Sequence, residues 1–282
     1  LGVGVQTHQP GVGAIVPWIR PGVGAVATQS FVNIAFGPQG LALLESGLPP
    51  ERALAAIVAG DDMPARRQVA ILAADGSAAV HTGDNCIPYA GHRVGEGYSV
   101  QANMMLKDTV PDAMAGAFEA ATGNLAQRIL AALEAAQAEG GDIRGSQSAA
   151  ILVRTPGHEL DFHWDLRVDN DPKPLAKLRE LVNIRLAGRV LELVTEGGST
   201  LAEDKAERLK LYEAAFERAD HLAPHDEQTF WYALSLAQRL GENERAMDLL
   251  DGVFARAPQW RELLMRLDWP DLAALKAAVG ER

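Results

Sequence analysis

The chain has 282 residues, 48% of them hydrophobic, and a formal net charge of −11. That length and apolar content suit one large domain or two ordinary ones with a real core. The acidic balance and the scattered basic residues argue against a nucleic-acid partner, whose binding rests on clustered Lys and Arg. No apolar run approaches the roughly 20 residues that cross a bilayer, so no membrane partner is expected either.

A single cysteine, Cys86, excludes an internal disulfide framework and fits a reducing compartment. No basic start precedes an apolar stretch, so no signal peptide is expected. A cytoplasmic protein is the expectation. The first residues already read as a strand without an initiator Met, so residues are expected upstream of Leu1.

Strands are predicted near 1–6, 12–17 and 22–28 from period-two stretches. The motif Pro-Gly-Val-Gly-Ala begins at Pro10 and again at Pro21. It reads as two adjacent strands joined by a turn through Pro17 to Arg20, with glycines permitting close backbone approach. Gly22, Gly24 and Ala27 formally fit a dinucleotide fingerprint, but Arg20 and Pro21 precede them and no helix start follows. No cofactor is expected.

Helices follow near 38–46 and 50–59, then strands near 67–73, 77–82 and 97–103. Two Ala-rich amphipathic helices are predicted near 109–121 and 124–138, with core-facing apolar sides. Strands near 148–154 and 159–168 come next. In the latter, Leu160, Phe162, Trp164, Leu166 and Val168 share one face, as in a half-buried strand. This order suggests layered α+β structure, not regular βαβ alternation.

His81, Asp84, Cys86 and His92 gather ligand-type residues, yet their spacing fits no zinc pattern. A loop lining a pocket and a structural loop both remain open there. His158, Glu159 and His163 miss the helical zinc-site spacing. No metal is expected.

The run Glu196 to Ser199 breaks a helical region and marks a boundary between domains 1–195 and 199–282. In the second, Ala-Pro pairs end at Pro224 and Pro258, 34 residues apart. Phe230, Leu234, Gly241, Ala246, Leu250, Val253 and Pro258 match the tetratricopeptide pattern. Thr200 to Glu203 reads as a capping box opening this all-α domain. A tetratricopeptide-like module for interaction or self-association and plain helical hairpins both fit.

Polar side chains near strand ends supply the candidate site: His8, Thr28, Gln29, Asn33, Asp84 and Asn103. No Gly-x-Ser-x-Gly elbow and no Walker loop appears.

The blocks "VPWIRPGVGAVATQSFVN", "GPQGLALLESGLPPERALAAI", "RQVAILAADGSAAVHTGDNCIPYAGH" and "GYSVQANMMLKDTVPDAM" closely resemble the bacterial domain of unknown function family number 1028, an Ntn-hydrolase-like family. The resemblance runs from Leu1 to about Ala187, with "GGDIRGSQSAAILV" and "LRVDNDPKPLAKLREL" extending it. It implies a four-layer αββα sandwich of two antiparallel sheets with helices outside. It also implies hydrolysis of a small amide C–N bond by an N-terminal Thr, Ser or Cys whose free α-amino group is the base. On that scheme Asn33 or Asn103 would supply an oxyanion donor, and His8 and Asp84 would position substrate or tune the amine. Leu1 has no nucleophilic side chain, so the nucleophile is expected upstream of it. The alternative is a non-catalytic assembly or binding protein, with the helical tail serving partners. A homo-oligomer, formed through that tail, is expected on either reading.

Overall fold

The computed structural model describes residues 1–157, 164–197 and 204–281. Two compact units divide the chain, Leu1–Val182 and Asn183–Arg282. The first is mixed α+β. It runs β1 (Gly2–Thr7), β2 (Pro17–Arg20), β3 (Gly24–Ser30), α1 (Phe36–Glu45), α2 (Pro50–Ala59), β4 (Arg67–Ala73) and β5 (Ala78–Thr82). It continues with β6 (Gly91–Gly95), β7 (Tyr98–Ala102), α3 (Val110–Ala120), α4 (Leu125–Ala138), β8 (Ser148–Val153), β9 (Asp165–Val168) and the start of α5 (Pro174–Gly197).

Among the described residues the strands form three antiparallel sheets, ordered β1-β8-β9, β2-β3-β4-β5 and β6-β7. The first two face each other. Val5, Ala150 and Leu152 pack with Val16 and Ala27 in one apolar cluster. Helices α1 and α2 cover the other side of the four-stranded sheet, where Leu41, Leu54 and Ile57 meet Val26, Val69 and Ile71. Helices α3 and α4 pack on each other; α4 also rests on β1 and β8, and α3 on β6 and β7.

Glycine makes two of these contacts close. A Cβ on Gly4 would lie 2.2 Å from Ile129 of α4. A Cβ on Gly37 of α1 would lie 2.3 Å from the Trp18 ring. Gly2 and Gly4 therefore mark where α4 sits directly on the backbone of β1.

The segment 12–17 is not a strand. Gly11 turns the chain at φ 67°, and Val12–Ala14 closes one 3₁₀ turn. Val12 and Val16 are buried because they lie four apart across that turn, not by strand alternation. The strand is Pro17–Arg20, read above as a turn; it pairs with β3 from Pro17↔Ala27 to Arg20↔Gly24. Strand β6 went unread because Gly91–Gly95 has no hydrophobic period. The helices expected near 38–46, 50–59, 109–121 and 124–138 are present, with ends shifted by one or two residues.

The second unit is helical: the rest of α5, α6 (Lys205–Leu222), α7 (Asp226–Ser235), α8 (Asn243–Arg256), α9 (Gln259–Arg266) and α10 (Ala273–Glu281). A π-helical turn, Leu236–Leu240, extends α7 and ends at Gly241, which is left-handed at φ 68°. Phe230, Leu234, Ala246, Leu250 and Val253 are all buried. Phe216 stacks on Tyr232 at 4.3 Å between ring centroids. Asp204 caps α6 by accepting from the Glu207 N–H at 3.0 Å. The capping box expected at Thr200–Glu203, His158 to His163, and the first part of the 159–168 strand lie outside the described residues. So do Gly198 and Ser199 of the expected boundary, next to the end of α5.

Candidate functional site

The first unit holds a cavity of about 830 Å³. One side is built by the inward face of β3 and β4, with Ala25, Ala27 and Ala70. The opposite side is the α3–α4 pair, through Met114, Phe118, Ile129 and Leu133. Strand β1 and strand β7 are its walls. The small side chains of β3 leave the room, and the glycines of β1 keep α4 close.

The cavity is apolar at the Leu1 end of β1 and polar at the Thr7 end. At the polar end stand Gln29, Ser30, Asn103, Asp142 and Arg144. Gln68 organises two of them. It is fully buried in β4, and its Oε1 accepts from Gln29 Nε2 at 2.6 Å and Asn103 Nδ2 at 3.1 Å. Its own Nε2 donates to Thr82 Oγ1 at 3.0 Å, the Ala102 carbonyl at 2.9 Å and the Gly91 carbonyl at 3.2 Å. Thr82 Oγ1 in turn meets His92 Nδ1 at 2.9 Å. Burial lowers the His92 imidazole, and the nearby Arg93 and His81 charges add to this.

Asp142 and Arg144 close the same end. Arg144 donates to Asp142 through Nε at 3.0 Å, Nη2 at 2.7 Å and its backbone N–H at 2.9 Å. The His8 backbone N–H also reaches Asp142 Oδ2, at 3.4 Å. Burial pushes the Asp142 carboxyl upward, but the Arg144 hydrogen bonds and charge, with the His8 N–H, outweigh it and leave it below its ordinary value. Hydrogen bonding to Asp142 raises Arg144.

Of the residues singled out from sequence, Gln29 and Asn103 line the cavity together. His8, Thr28, Asn33 and Asp84 do not. The His8 side chain is exposed, and so is Asp84. Thr28 is buried on the other side of β3, donating to the Asn33 carbonyl at 3.1 Å. The Asn33 side chain donates to Asp61 at 2.9 Å, within a buried Asp61–Arg67 ion pair. His81 Nε2 meets the Pro64 carbonyl oxygen at 2.8 Å, and the buried Cys86 thiol donates to the Arg67 carbonyl at 3.4 Å. Backbone groups thus hold both side chains.

Gln68, Asp142 and Arg144 were not read from the sequence. For Gln68 a usable signal existed: with Arg67 it opens the apolar run of β4, and a buried amide must find partners. Asp142 and Arg144 follow the Gly140–Gly141 turn, which reads locally as a loop and nothing more.

The model of a family of unknown function, DUF1028, matches residues 1–178. The crystal structure of protein SPO2555 from Silicibacter pomeroyi, assigned to DUF1028, is similar to this chain. The TM-score is 0.59 and the sequence identity 30%, covering 64% of this chain and 78% of that one. No curated protein matches the chain.

Proposed function

The chain belongs to the DUF1028 family, and from that premise we propose that its first unit is the body of an Ntn-type hydrolase of a small amide. The nucleophile is a Thr, Ser or Cys upstream of Leu1. The observation that carries this reading is the joint placement of the Gln29 and Asn103 amides at the polar end of a cavity whose other end is walled by apolar groups. Small-molecule sites have this makeup, with few polar groups convergent in an apolar setting.

The packing order supports the four-layer reading. Helices α1 and α2 lie outside one sheet, α3 and α4 outside the other strands, and an apolar cluster lies between. In the reaction, the nucleophile's O–H or S–H proton passes to its own α-amine as the new bond to the substrate carbonyl forms. The tetrahedral oxyanion takes an N–H from Asn103, whose Nδ2 has two N–H groups and gives one to Gln68. Collapse expels the amine, which takes its proton from the α-ammonium group. Water then hydrolyses the acyl-enzyme.

The test uses the protein expressed from its natural start and a panel of small amides, with ammonia or amine release as readout. Turnover is expected, and it vanishes when the first residue of the mature chain is changed to Ala. In the active protein, Asn103→Ala lowers kcat about 10²- to 10³-fold, the effect of removing one oxyanion donor. A mature chain that begins with none of Thr, Ser or Cys sinks the proposal.

A second reading, an assembly protein with an Ntn-like shell and a tetratricopeptide-like tail, draws on one observation in the helical unit. Trp231 and Trp269 are both partly exposed, with ring centroids 6.0 Å apart. Light scattering separates the cases: on this reading Trp231→Ala with Trp269→Ala dissociates a homo-oligomer, and a wild-type monomer counts against it.

A further inference from the structure

Arg144 is held by one edge of its guanidinium. Nε and Nη2 clasp Asp142 at 3.0 and 2.7 Å. The outer edge is left over. Nη1 has no hydrogen-bond partner among the described residues, and Nη2 reaches Thr7 Oγ1 only at a long 3.5 Å. On that edge Nη1 and Nη2 present parallel N–H donors, the arrangement a carboxylate takes bidentately. The Asp142 side chain is 6% exposed, so the fork is fixed from behind. The Arg144 side chain is 34% exposed and lines the cavity, so its free edge is open to a ligand entering from solvent.

The backbone brings this fork beside the amides. Met105 and Asp142 form an antiparallel bridge. The Leu106 N–H on the Gly141 carbonyl and the Ile143 N–H on the Met104 carbonyl lock it, both at 2.9 Å. In an antiparallel pair, stepping back along one segment runs beside stepping forward along the other. Asn103 and Arg144 therefore flank the bridge toward the same end, and both line the cavity. Ser30 Oγ and Gln6 Oε1 border the same cavity, buried and with no hydrogen-bond partner among the described residues. Unpaired buried polar atoms are costly, so their presence around one space fits a polar occupant. Among the described residues, Asp142 and Arg144 supply the charged side chains that line the cavity. Asp142 already offsets much of the guanidinium charge, and no lysine or second arginine stands by to balance a dianion. A single carboxylate suits one such fork.

We propose that the polar end takes a small amide that also bears a carboxylate, and that Arg144 selects it. The carboxylate lies on the outer edge of the Arg144 guanidinium. The amide carbonyl faces Asn103, whose Nδ2 keeps one N–H free of Gln68. The Ser30 hydroxyl and the Gln6 carbonyl are left to serve the remaining polar atoms of the ligand. This deepens the hydrolase reading and rests on it for the fate of the amide; the acid site itself rests on Arg144 and its Asp142 anchor.

Two measurements on the full-length protein test it. The first compares turnover of succinamate with that of butyramide, its counterpart without the carboxylate. Succinamate is expected to show a kcat/KM about ten-fold or more higher, carried by KM, the worth of one charge-assisted pair. Arg144→Lys keeps the charge but loses the fork, and should erase most of that preference; a merely structural Arg144 would lower turnover of both amides alike. The second titrates 4-oxopentanoate, a ketone acid with no C–N bond to break, at constant ionic strength. Saturable NMR shifts are expected at Arg144 Nε–H and Asn103 Nδ2, with affinity at Asn103 about ten-fold or more weaker in Arg144→Lys. No saturable shift overturns the proposal, and so does tighter binding of methylphosphonate or turnover that does not favour succinamate. These wild-type arms decide the matter even where the variant fails to fold. Binding of 4-oxopentanoate without turnover of any amide upholds the acid site and sinks only the hydrolase. Turnover of butyramide without binding of 4-oxopentanoate does the reverse.

Discussion

Arg67 shows how one buried charge is secured. It donates to Asp61 through Nε and Nη2, both at 2.9 Å, and also to the Phe31 carbonyl. Both side chains are nearly sealed from solvent, at 9% and 3% exposure. The Arg67 hydrogen bond holds the Asp61 carboxyl below its ordinary value; burial opposes this, and Asn33 and the Met63 N–H add to it. Asp61→Ala strands the guanidinium and is expected to cost about 3–5 kcal/mol in urea unfolding. A depressed carboxyl stabilises fully above its unfolded value and loses that contribution as pH falls through its folded one. The stability gap between wild type and Asp61→Asn should therefore narrow as pH drops below about 4. Asn33 stood out in the sequence as a strand-end polar residue and a possible oxyanion donor. Its Asp61 partner is 28 positions away, and nothing local announces such a pairing. Gln29 and Asn103 were visible by the same strand-end rule, because both terminate strands that border the cavity.

At the scale of elements, the helices and most strands were legible because their hydrophobic periods are strong. Leu54 and Ile57 on α2, and Ile129 with Leu133 on α4, recur at helical spacing and are buried. The segment 10–24 misled because the two glycines within each copy do different work. Gly11 and Gly22 are left-handed with open space around them, whereas Gly13 and Gly24 have Ala150 and Leu44 packed over them. Period alone cannot tell a backbone turn from a backbone contact. Two substitutions probe each use. Gly4→Val drives branched carbons into Ile129 and should cost about 1–3 kcal/mol by overpacking, read as a fall in the denaturation midpoint. Gly241→Ala meets open space but must hold φ 68°, and should cost about 1–2 kcal/mol. An unchanged melting temperature in Gly241→Ala would show that the turn relaxes without loss.

The chain divides between Val182 and Asn183, within α5, and each unit has apolar clusters of its own. The core of the second is made within residues 187–279, from Ala187 through Tyr212 and Phe230 to Val279. A fragment of residues 183–282 is therefore expected to keep a helical circular dichroism spectrum and a cooperative melt. A fragment that is helical only in trifluoroethanol would refute that independence. The cavity could not be read in advance. It depends on β1, β3, β7, α3 and α4, which span positions 1 to 138, and no short window records which strand edges are left facing one another.

Gln68 has a consequence for any ligand at the polar end. Its carbonyl takes two N–H donors and its nitrogen serves the Gly91 and Ala102 carbonyls as well as the Thr82 hydroxyl, so turning that amide over would set oxygen against both carbonyls and N–H against both amide donors. The sense of the Gln29 and Asn103 dipoles is thereby decided in the sheet interior, before anything enters. An arriving carbonyl meets Gln29 and Asn103 dipoles that are already oriented and need not reorganise them.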